Sequence, residues 1–538
     1  MKNLQSVLFL IGLFFSELVY AQQSFPYELS IVPVSVPDLP GIHSYAYGQS
    51  DGKWLIIGGR LDGLHPRQPN SSFPASANNT NMYVVDIKTS EVWSSSVTSL
   101  PAGLQEQLQS TNMNFHQEED TLYIVGGYGY STSSLNHVTY PYLTTINVSS
   151  LMLAIEYGLP LETYFKQIQD DRFAVTGGHL NVLDNTFYLV GGHRFDGRYN
   201  PMGNPSYTQT YTNQIRKFKI DNTGDQLSIS DYEAITDEVH LHRRDYNLLP
   251  QIFPDGSDGF TISSGVFQVG VDLPFLYPVD ITAEGHTPNT AFNQYLSNYH
   301  SANTCMYDSV QNEMHSVFFG GMSQYYYQDG ELVQDDKVPF VKTVSRVTRD
   351  ATGNLTEYQL PIEMPGLKGS SAEFIPNLNL DYHNGEILKL NTVKEEQFLL
   401  GHIVGGINSS SLNPFADNTL NLTNADETIY EVWAKQPVEE EEMVLAYEID
   451  GHNPFEISVN PNPVSEDFAI NFHLENEAEV SYMLSNAAGQ IVKQSTRVKY
   501  SGGEHSWPVK FTPVQRGIYF LNVFFDGKYC VTQKLIFE

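Results

Sequence analysis

The sequence predicts an all-β fold: a closed ring of six repeated units followed by a small, separate β-sandwich. Three observations carry this expectation. Aromatic content is high, with 33 Tyr and 30 Phe, and Tyr, Thr, Val and Phe recur in short runs between Gly, Asn, Asp and Pro clusters. At 538 residues the chain exceeds one ordinary compact core unless that core is a repeat ring or barrel. Finally, one short pattern, an apolar run ending in Gly-Gly, returns along most of the chain.

The copies are Trp54-Leu-Ile-Ile-Gly58-Gly59, Leu122-Tyr-Ile-Val-Gly126-Gly127, Phe187-Tyr-Leu-Val-Gly191-Gly192, Val317-Phe-Phe-Gly320-Gly321 and His402-Ile-Val-Gly405-Gly406. A degenerate copy, Phe260-Thr-Ile-Ser-Ser-Gly265, fills the fourth place, and successive copies lie 56 to 85 residues apart. A short strand and a polar turn precede each run, as at Ser50-Asp51-Gly52 and Glu118-Glu119-Asp120. A third strand follows after a loop: Met82 to Asp86, Gln214 to Phe218, Val344 to Val347 and Ile429 to Trp433. Glycine belongs where a buried strand ends against its neighbours, because it permits close backbone approach and positive φ.

This pattern resembles the kelch repeat. The resemblance implies a six-bladed kelch-type β-propeller over residues 22–436, with four antiparallel strands per blade. The sixth unit runs out after Trp433, so the segment from Tyr27 to Val36 is expected to supply its outer strand and close the ring.

Residues 1–21 read as a signal peptide. Lys2 gives the positive start, Val7 to Phe15 the apolar region, and Val19-Tyr20-Ala21 the cleavage site. No later segment reaches 18 apolar residues, so no transmembrane segment is expected in the mature chain. The net charge of −33 argues against nucleic acid as a partner and suits a solvated acidic surface. No Asp-x-Asp-x-Asp-Gly loop supports a metal site, and no cofactor is expected. Cys305 and Cys530, the only cysteines, are expected as lone thiols.

After Pro437 an acidic run, Glu439 to Glu442, reads as part of a linker over 437–454. Then come Val459-Asn-Pro-Asn-Pro463, Gly517-Ile-Tyr-Phe-Leu-Asn-Val523 and a terminal Gln533-Lys534-Leu-Ile-Phe-Glu538. Residues 455–538 thereby resemble the type A C-terminal sorting domain of the type IX secretion system of Bacteroidetes. The resemblance implies a small β-sandwich recognised by the secretion machinery. It also implies passage through the periplasm to the cell surface or the medium, and removal of the domain before release or anchoring.

In a kelch ring the loops after each Gly-Gly pair gather around the starts of the inner strands. Here those loops are long: residues 60–80 hold Arg60, residues 193–213 hold His193 and Arg194, residues 322–340 hold three consecutive tyrosines, and residues 407–427 are rich in Asn and Ser. The inner-strand starts add His43, Asn112, His179, Arg243-Arg244-Asp245-Tyr246, Tyr299-His300 and Glu373. Rings that stack on sugar faces, beside Asn, Arg and Asp for hydroxyls, suit carbohydrate. His43, Arg60, Asn112, His179, His193, Arg194, Tyr246, Tyr299, His300 and Glu373 are therefore the ligand-binding candidates. A one-residue slip in register would turn any of them to the other face, and a satisfied structural role is the plain alternative for each.

Tyr299-His300-Ser301 before Phe318-Phe-Gly-Gly also resembles a segment of galactose oxidase, a kelch-type copper enzyme, and Arg243 to Tyr246 loosely resembles the segment carrying its cross-linked tyrosine. Six repeats, the want of a plausibly placed cysteine and of an assured second histidine speak against that chemistry. Gly-x-Ser-x-Gly, His-Glu-x-x-His and Walker motifs are absent. The leading expectation is a non-enzymatic exported propeller that binds glycan or protein through its loop-rich face. The alternative is a polysaccharide-acting hydrolase or lyase using Arg243, Arg244, Asp245, Tyr246 and His300. An enzyme should bring ionisable side chains within ~8 Å of one another in the funnel, whereas a binder should show exposed rim aromatics and a plugged funnel.

Overall fold

The computed structural model describes residues 25, 27–68, 70–200, 206–436, 444–445, 455–464, 467–487, 491–512, 516–526 and 529–538. The expected signal peptide and most of the acidic linker lie outside them. The chain divides into two compact units, one ending at Gln436 and one beginning at Pro437.

The first unit contains six blades of four antiparallel strands. From inner to outer strand, blade 1 is Ala46–Ser50, Lys53–Ile57, Asn81–Asp86 and Glu91–Ser96. Blade 2 is Asn114–Glu118, Thr121–Val125, Tyr142–Asn147 and Phe165–Gln169. Blade 3 is His179–Leu183, Thr186–Val190, Gln214–Asp221 and Ser228–Thr236. Blade 4 is Asn247–Ile252, Asp258–Ser263, Val279–Thr282 and Gly285–Pro288. Blade 5 is Asn303–Asp308, Glu313–Phe319, Thr343–Arg349 and Leu355–Glu363. Blade 6 takes Glu373–Pro376, Gln397–Val404 and Ile429–Lys435 from its own stretch, and its outer strand is Glu28–Val34. That N-terminal strand pairs over its whole length with blade 6, from Glu28 opposite Lys435 to Val34 opposite Ile429. The ring is closed by the segment the sequence pointed to.

The second strand of each blade is apolar on consecutive positions because both of its faces are buried. In Lys53–Ile57, Trp54 and Ile56 pack toward blade 6 with Ile375, Val404 and Ile429. The alternate residues Leu55 and Ile57 pack toward blade 2 with Leu122 and Ile124. The same split repeats around the ring, so each blade-to-blade boundary has its own apolar cluster. Each fully buried Val, Leu or Ile there contributes about 1.5–3 kcal/mol.

The Gly-Gly pair has a second function in the ring. The second residue's N–H donates to a carbonyl just ahead of the next blade's inner strand. The bonds run Gly59 to Ser110 (2.8 Å), Gly127 to Val175 (3.0 Å), Gly192 to Arg243 (2.8 Å), Gly265 to Asn298 (3.1 Å), Gly321 to Lys368 (2.8 Å) and Gly406 to Ile42 (2.8 Å). Both residues of the pair at Gly126-Gly127 have positive φ, 70° and 97°. A Cβ on Gly126 would overlap the Val175 carbonyl oxygen. In the degenerate blade 4, Ser264 adopts φ 55° in the first position, and its hydroxyl donates to the Phe275 carbonyl.

The second unit has two sheets. One joins Tyr529–Phe537, Gly517–Phe525, Ala478–Asn486 and Ile491–Gln494, and the other joins Ser458–Asn460, Asp467–Leu474 and Gly503–Lys510. Their alternate residues, including Ile470, Phe472, Leu484, Leu521 and Val523, form one core. Val444–Leu445, within the expected linker, pairs in parallel with Tyr529 and Cys530. Both cysteines are free and buried.

Gly126→Ala is expected to cost about 3 kcal/mol or more, through backbone strain and the clash with the next blade. Gly224→Ala, at a glycine with no atom near the added Cβ, should stay within about 0.5 kcal/mol. Urea unfolding of the two variants checks this.

Candidate functional site

The inner strands all begin on the rim where the Gly-Gly strands end, because the two are antiparallel neighbours. At that level six residues, one from each blade junction, form a closed ring of backbone hydrogen bonds. Ser44 N–H donates to Ser371 (3.1 Å), Ser371 to His300 (2.9 Å), His300 to Asp245 (2.8 Å), Asp245 to Gly177 (2.8 Å), Gly177 to Asn112 (3.2 Å) and Asn112 to Ser44 (3.1 Å). Five of the six, all but His300, have positive φ between 50° and 65°. The ring satisfies donors and acceptors that would otherwise face the channel.

Just below this ring three candidates meet. His300 Nε2 lies 3.5 Å from Glu373 Oε1, and the His179 and His300 rings are 5.3 Å apart, edge to face. Solvent still reaches the pair, since the His300 and Glu373 side chains keep 18% and 14% exposure. Burial pushes the Glu373 carboxyl up to about 8. Burial, with His179 beside it, holds His300 down to about 3. Burial thus favours the uncharged pair at neutral pH, with its proton on Glu373. His179 is also held down, to about 4, by burial, and its Nε2 is 2.6 Å from the Tyr246 carbonyl. The Tyr47 hydroxyl donates to the Phe374 carbonyl (3.1 Å) near the same carboxyl.

The opposite end of the channel is occupied by an insertion that none of the sequence motifs marked. Residues 377–396 leave the inner strand of blade 6, and Ile387–Lys389 pairs in parallel with the inner strand of blade 5, Cys305 opposite Ile387. Asn181 of blade 3 donates to both Glu386 oxygens (3.0 and 3.2 Å), and His116 of blade 2 lies 3.8 Å away. His383 Nε2 contacts both oxygens of Asp258 in blade 4 at 2.8 and 2.9 Å. The insertion therefore touches five of the six blades. Two signals for it were present: Asn384-Gly385, a hairpin turn whose φ values are 49° and 75°, and the longest interval between Gly-Gly copies, Gly321 to Gly406.

Other candidates are placed elsewhere. Arg243 is fully buried; it donates to the His240, Ser264 and Tyr277 carbonyls and stacks on Phe275 and Tyr277. Tyr246 is fully buried with its hydroxyl on the Val190 carbonyl. Arg60 is clamped by Asp62 and Asn78, and buried His43 bonds Ser44 through Nδ1. Asp62 is pushed up by burial but brought down to about 2 by the His43 imidazole 3.8 Å away and by hydrogen bonds from Arg60. Asn112 serves the backbone ring, and its carbonyl also accepts from Thr176. His193 packs on Phe195 and Tyr211, while Arg194 pairs with Asp196 on the surface. Arg244 pairs with Asp245 and donates to the Tyr211 hydroxyl (3.2 Å). Burial raises the Tyr299 hydroxyl above its ordinary range, and Arg244 and Asp245 are among the charges around it.

The long loops after the Gly-Gly pairs form a second tier. Strands Tyr128–Ser131, Asn136–Thr139, His193–Gly197 and Tyr207–Tyr211 make one sheet from blades 2 and 3. Their aromatics pack on one another: His65 on Phe73, Tyr199 and Phe415, and Phe195 on Tyr199 and Tyr207.

The radical-copper arrangement does not fit these residues. Tyr246 spends its hydroxyl on a backbone carbonyl, and buried Cys305 lies with Leu249, Met314 and Phe318 between blades 4 and 5. Among the described residues no group of three His, Cys, Asp or Glu is placed to hold a metal ion.

As Glu373 carries a proton from pH 4.5 to about 8 in the fold but loses it in the unfolded chain, its contribution to stability falls as pH rises through that window. His300 has the opposite sense, losing stability as pH falls from 6.5 toward about 3. Glu373→Gln should therefore gain stability relative to the unmodified protein as pH rises from 4.5 to about 8, read from urea midpoints across that range.

Residues 458–538 match the family model described as the secretion system C-terminal sorting domain. A search of the curated proteins gave no match. Two similar solved structures are that of YjhT and that of a copper-bound fungal alcohol oxidase of the AA5 family. The first is 13% identical with a TM-score of 0.42, covering 70% of this chain and 95% of its own. The second is 10% identical with a TM-score of 0.36, covering 95% of this chain and 100% of its own. Neither assigns a site here. No helix among the described residues is long and apolar enough to cross a membrane. The chain is thus a six-bladed β-propeller that carries a type IX sorting domain and is exported to the cell surface or beyond it.

Proposed function

We propose that this exported propeller binds a glycan inside its channel, just below the backbone ring, with Glu373, His300 and His179 as polar contacts. The observation that carries the proposal is the meeting of Glu373, His300 and His179 from three blades in the channel, where burial disfavours charge on each of them. Although the chain is strongly acidic, burial leaves a protonated carboxyl and two neutral imidazoles facing one another. An uncharged lining of donors and acceptors suits an uncharged, hydroxyl-rich ligand, which need not shed a counterion or meet an unpaired charge. The rim is less suited than the loop sequences suggested, since the aromatics on the loops of blades 1, 2, 3 and 6 are engaged with one another, and of the three tyrosines after blade 5's Gly-Gly pair Tyr327 is the exposed one.

A second reading, a polysaccharide-acting enzyme, draws support from the convergence of Glu373, His300 and His179 in the funnel, the arrangement an enzyme requires. A carboxyl protonated near neutrality beside an imidazole has the character of a general acid. Release of new chain ends from a bound glycan by the native protein and not by Glu373→Gln would favour it.

Glycan-array binding and then calorimetry test the main reading. Glu373→Gln keeps the neutral donor and should retain binding within about threefold, while Glu373→Ala and His300→Ala should each lose about tenfold or more. Unchanged affinity in both alanine variants would place the ligand elsewhere.

Cutting the chain after Gln436 should leave the propeller in the periplasm, because the sorting domain is what the export machinery would recognise. Cell fractionation against the full chain checks this.

A further inference from the structure

The geometry points to a channel that is open to ligand from one end only, so that this propeller recognises the end of a glycan chain and not its interior. The inference rests on the proposed glycan binding and narrows its ligand class. Its basis is the 377–396 insertion. A propeller channel is ordinarily bounded by six inner strands and can pass from rim to rim. Here one segment crosses it, tied to blade 5 by a parallel strand pair, to blades 2 and 3 through Glu386, and to blade 4 through His383.

The levels along the inner strands locate the floor. His116 and Asn181, which hold Glu386, lie four residues beyond the ring residues Asn112 and Gly177. At strand rise, that puts the floor about 13 Å below the ring. Glu373 and His179 lie two residues below the ring, about halfway down. A ligand entering past the ring meets the Glu373–His300 pair first and then Glu386, beyond which the insertion continues. A glycan held midway along its length would need an exit where the insertion stands. Glu386 has both oxygens fixed by Asn181, at 3.0 and 3.2 Å. It is therefore a preset hydrogen-bonding group at the depth where a terminal sugar would stop, and in this role it is a specificity residue.

The test uses the full mature chain on an array that carries each oligosaccharide in three forms: attached through its reducing end, attached through its non-reducing end, and as a macrocycle. Linear maltohexaose with α-cyclodextrin, and linear with cyclic β-1,2-glucan, supply such sets. The expected result is binding to one attachment polarity, with the macrocycle and the opposite polarity at least about tenfold weaker. Glu386→Gln should weaken the preferred form about tenfold with its thermal midpoint held. Asn181→Ser, which frees the same carboxylate, serves if the first variant does not fold. Equal binding of linear and cyclic forms would overturn the one-ended channel while leaving the glycan reading intact. A lowered midpoint with unchanged end preference would overturn the part given to Glu386 and make the insertion a brace. A blank array would overturn the glycan reading, and this inference with it.

Discussion

The hydrogen bond from each second glycine to the next blade is the constraint on which the propeller depends. A blade is a flat, twisted sheet with two apolar faces, and apolar packing alone has little directional preference. The N–H of Gly127 on the Val175 carbonyl, and its five counterparts, set the angle and height at which one blade meets the next. Because the neighbouring carbonyl occupies the space where a Cβ would sit, the pair is confined to residues that tolerate both closeness and positive φ. Blade 4 carries serine in place of one glycine, and the geometry adjusts to it. Ser264 takes the same conformation, its hydroxyl is bound to Phe275, and the latch to Asn298 is the longest of the six.

Once the blades are locked at that height, a second set of backbone groups comes together at the inner-strand starts. The ring from Ser44 through Asn112, Gly177, Asp245, His300 and Ser371 exists only because each member is offered to the next blade at the same level. It narrows the channel with polar backbone that is already satisfied, which leaves side chains to set the chemistry of the channel. Below it, confinement by six blades strips most water from Glu373 and His300, and desolvation penalises whichever of them is charged. A pair that would be an ion pair on a surface is neutral here. The same enclosure makes the insertion consequential, since any segment laid across so narrow a passage divides it.

Much of the ring was legible in the sequence because its determinants are local and repeated. Six Gly-Gly or Ser-Gly strand ends, the polar turn before each, and the missing outer strand after Trp433 are periodic signals, and Glu28–Val34 duly completes blade 6. The site was legible only in part. His179, His300 and Glu373 were singled out as inner-strand starts and do meet. Arg243 and Tyr246 shared that description and instead turn into the wall between blades, because side-chain direction alternates and their neighbours at Tyr277 and Val190 claim their polar atoms. Glu386 was passed over, since its contacts with Asn181 and His116 lie far away in sequence.

A ring of six β units with a sorting tail, closed by the N-terminal segment, was already written in the residues. Those properties depend on spacing, composition and glycine placement, each of which acts over a few residues. The place of the candidate site on the export-bound propeller emerges only in the assembled ring. There, most rim aromatics are engaged with one another while Tyr327 stays exposed, a carboxyl and an imidazole from blades 6 and 5 share a water-poor channel, and one insertion crosses the far end. The physical reason is that desolvation, side-chain direction and channel closure depend on atoms brought together from all six blades, and no local pattern records that assembly.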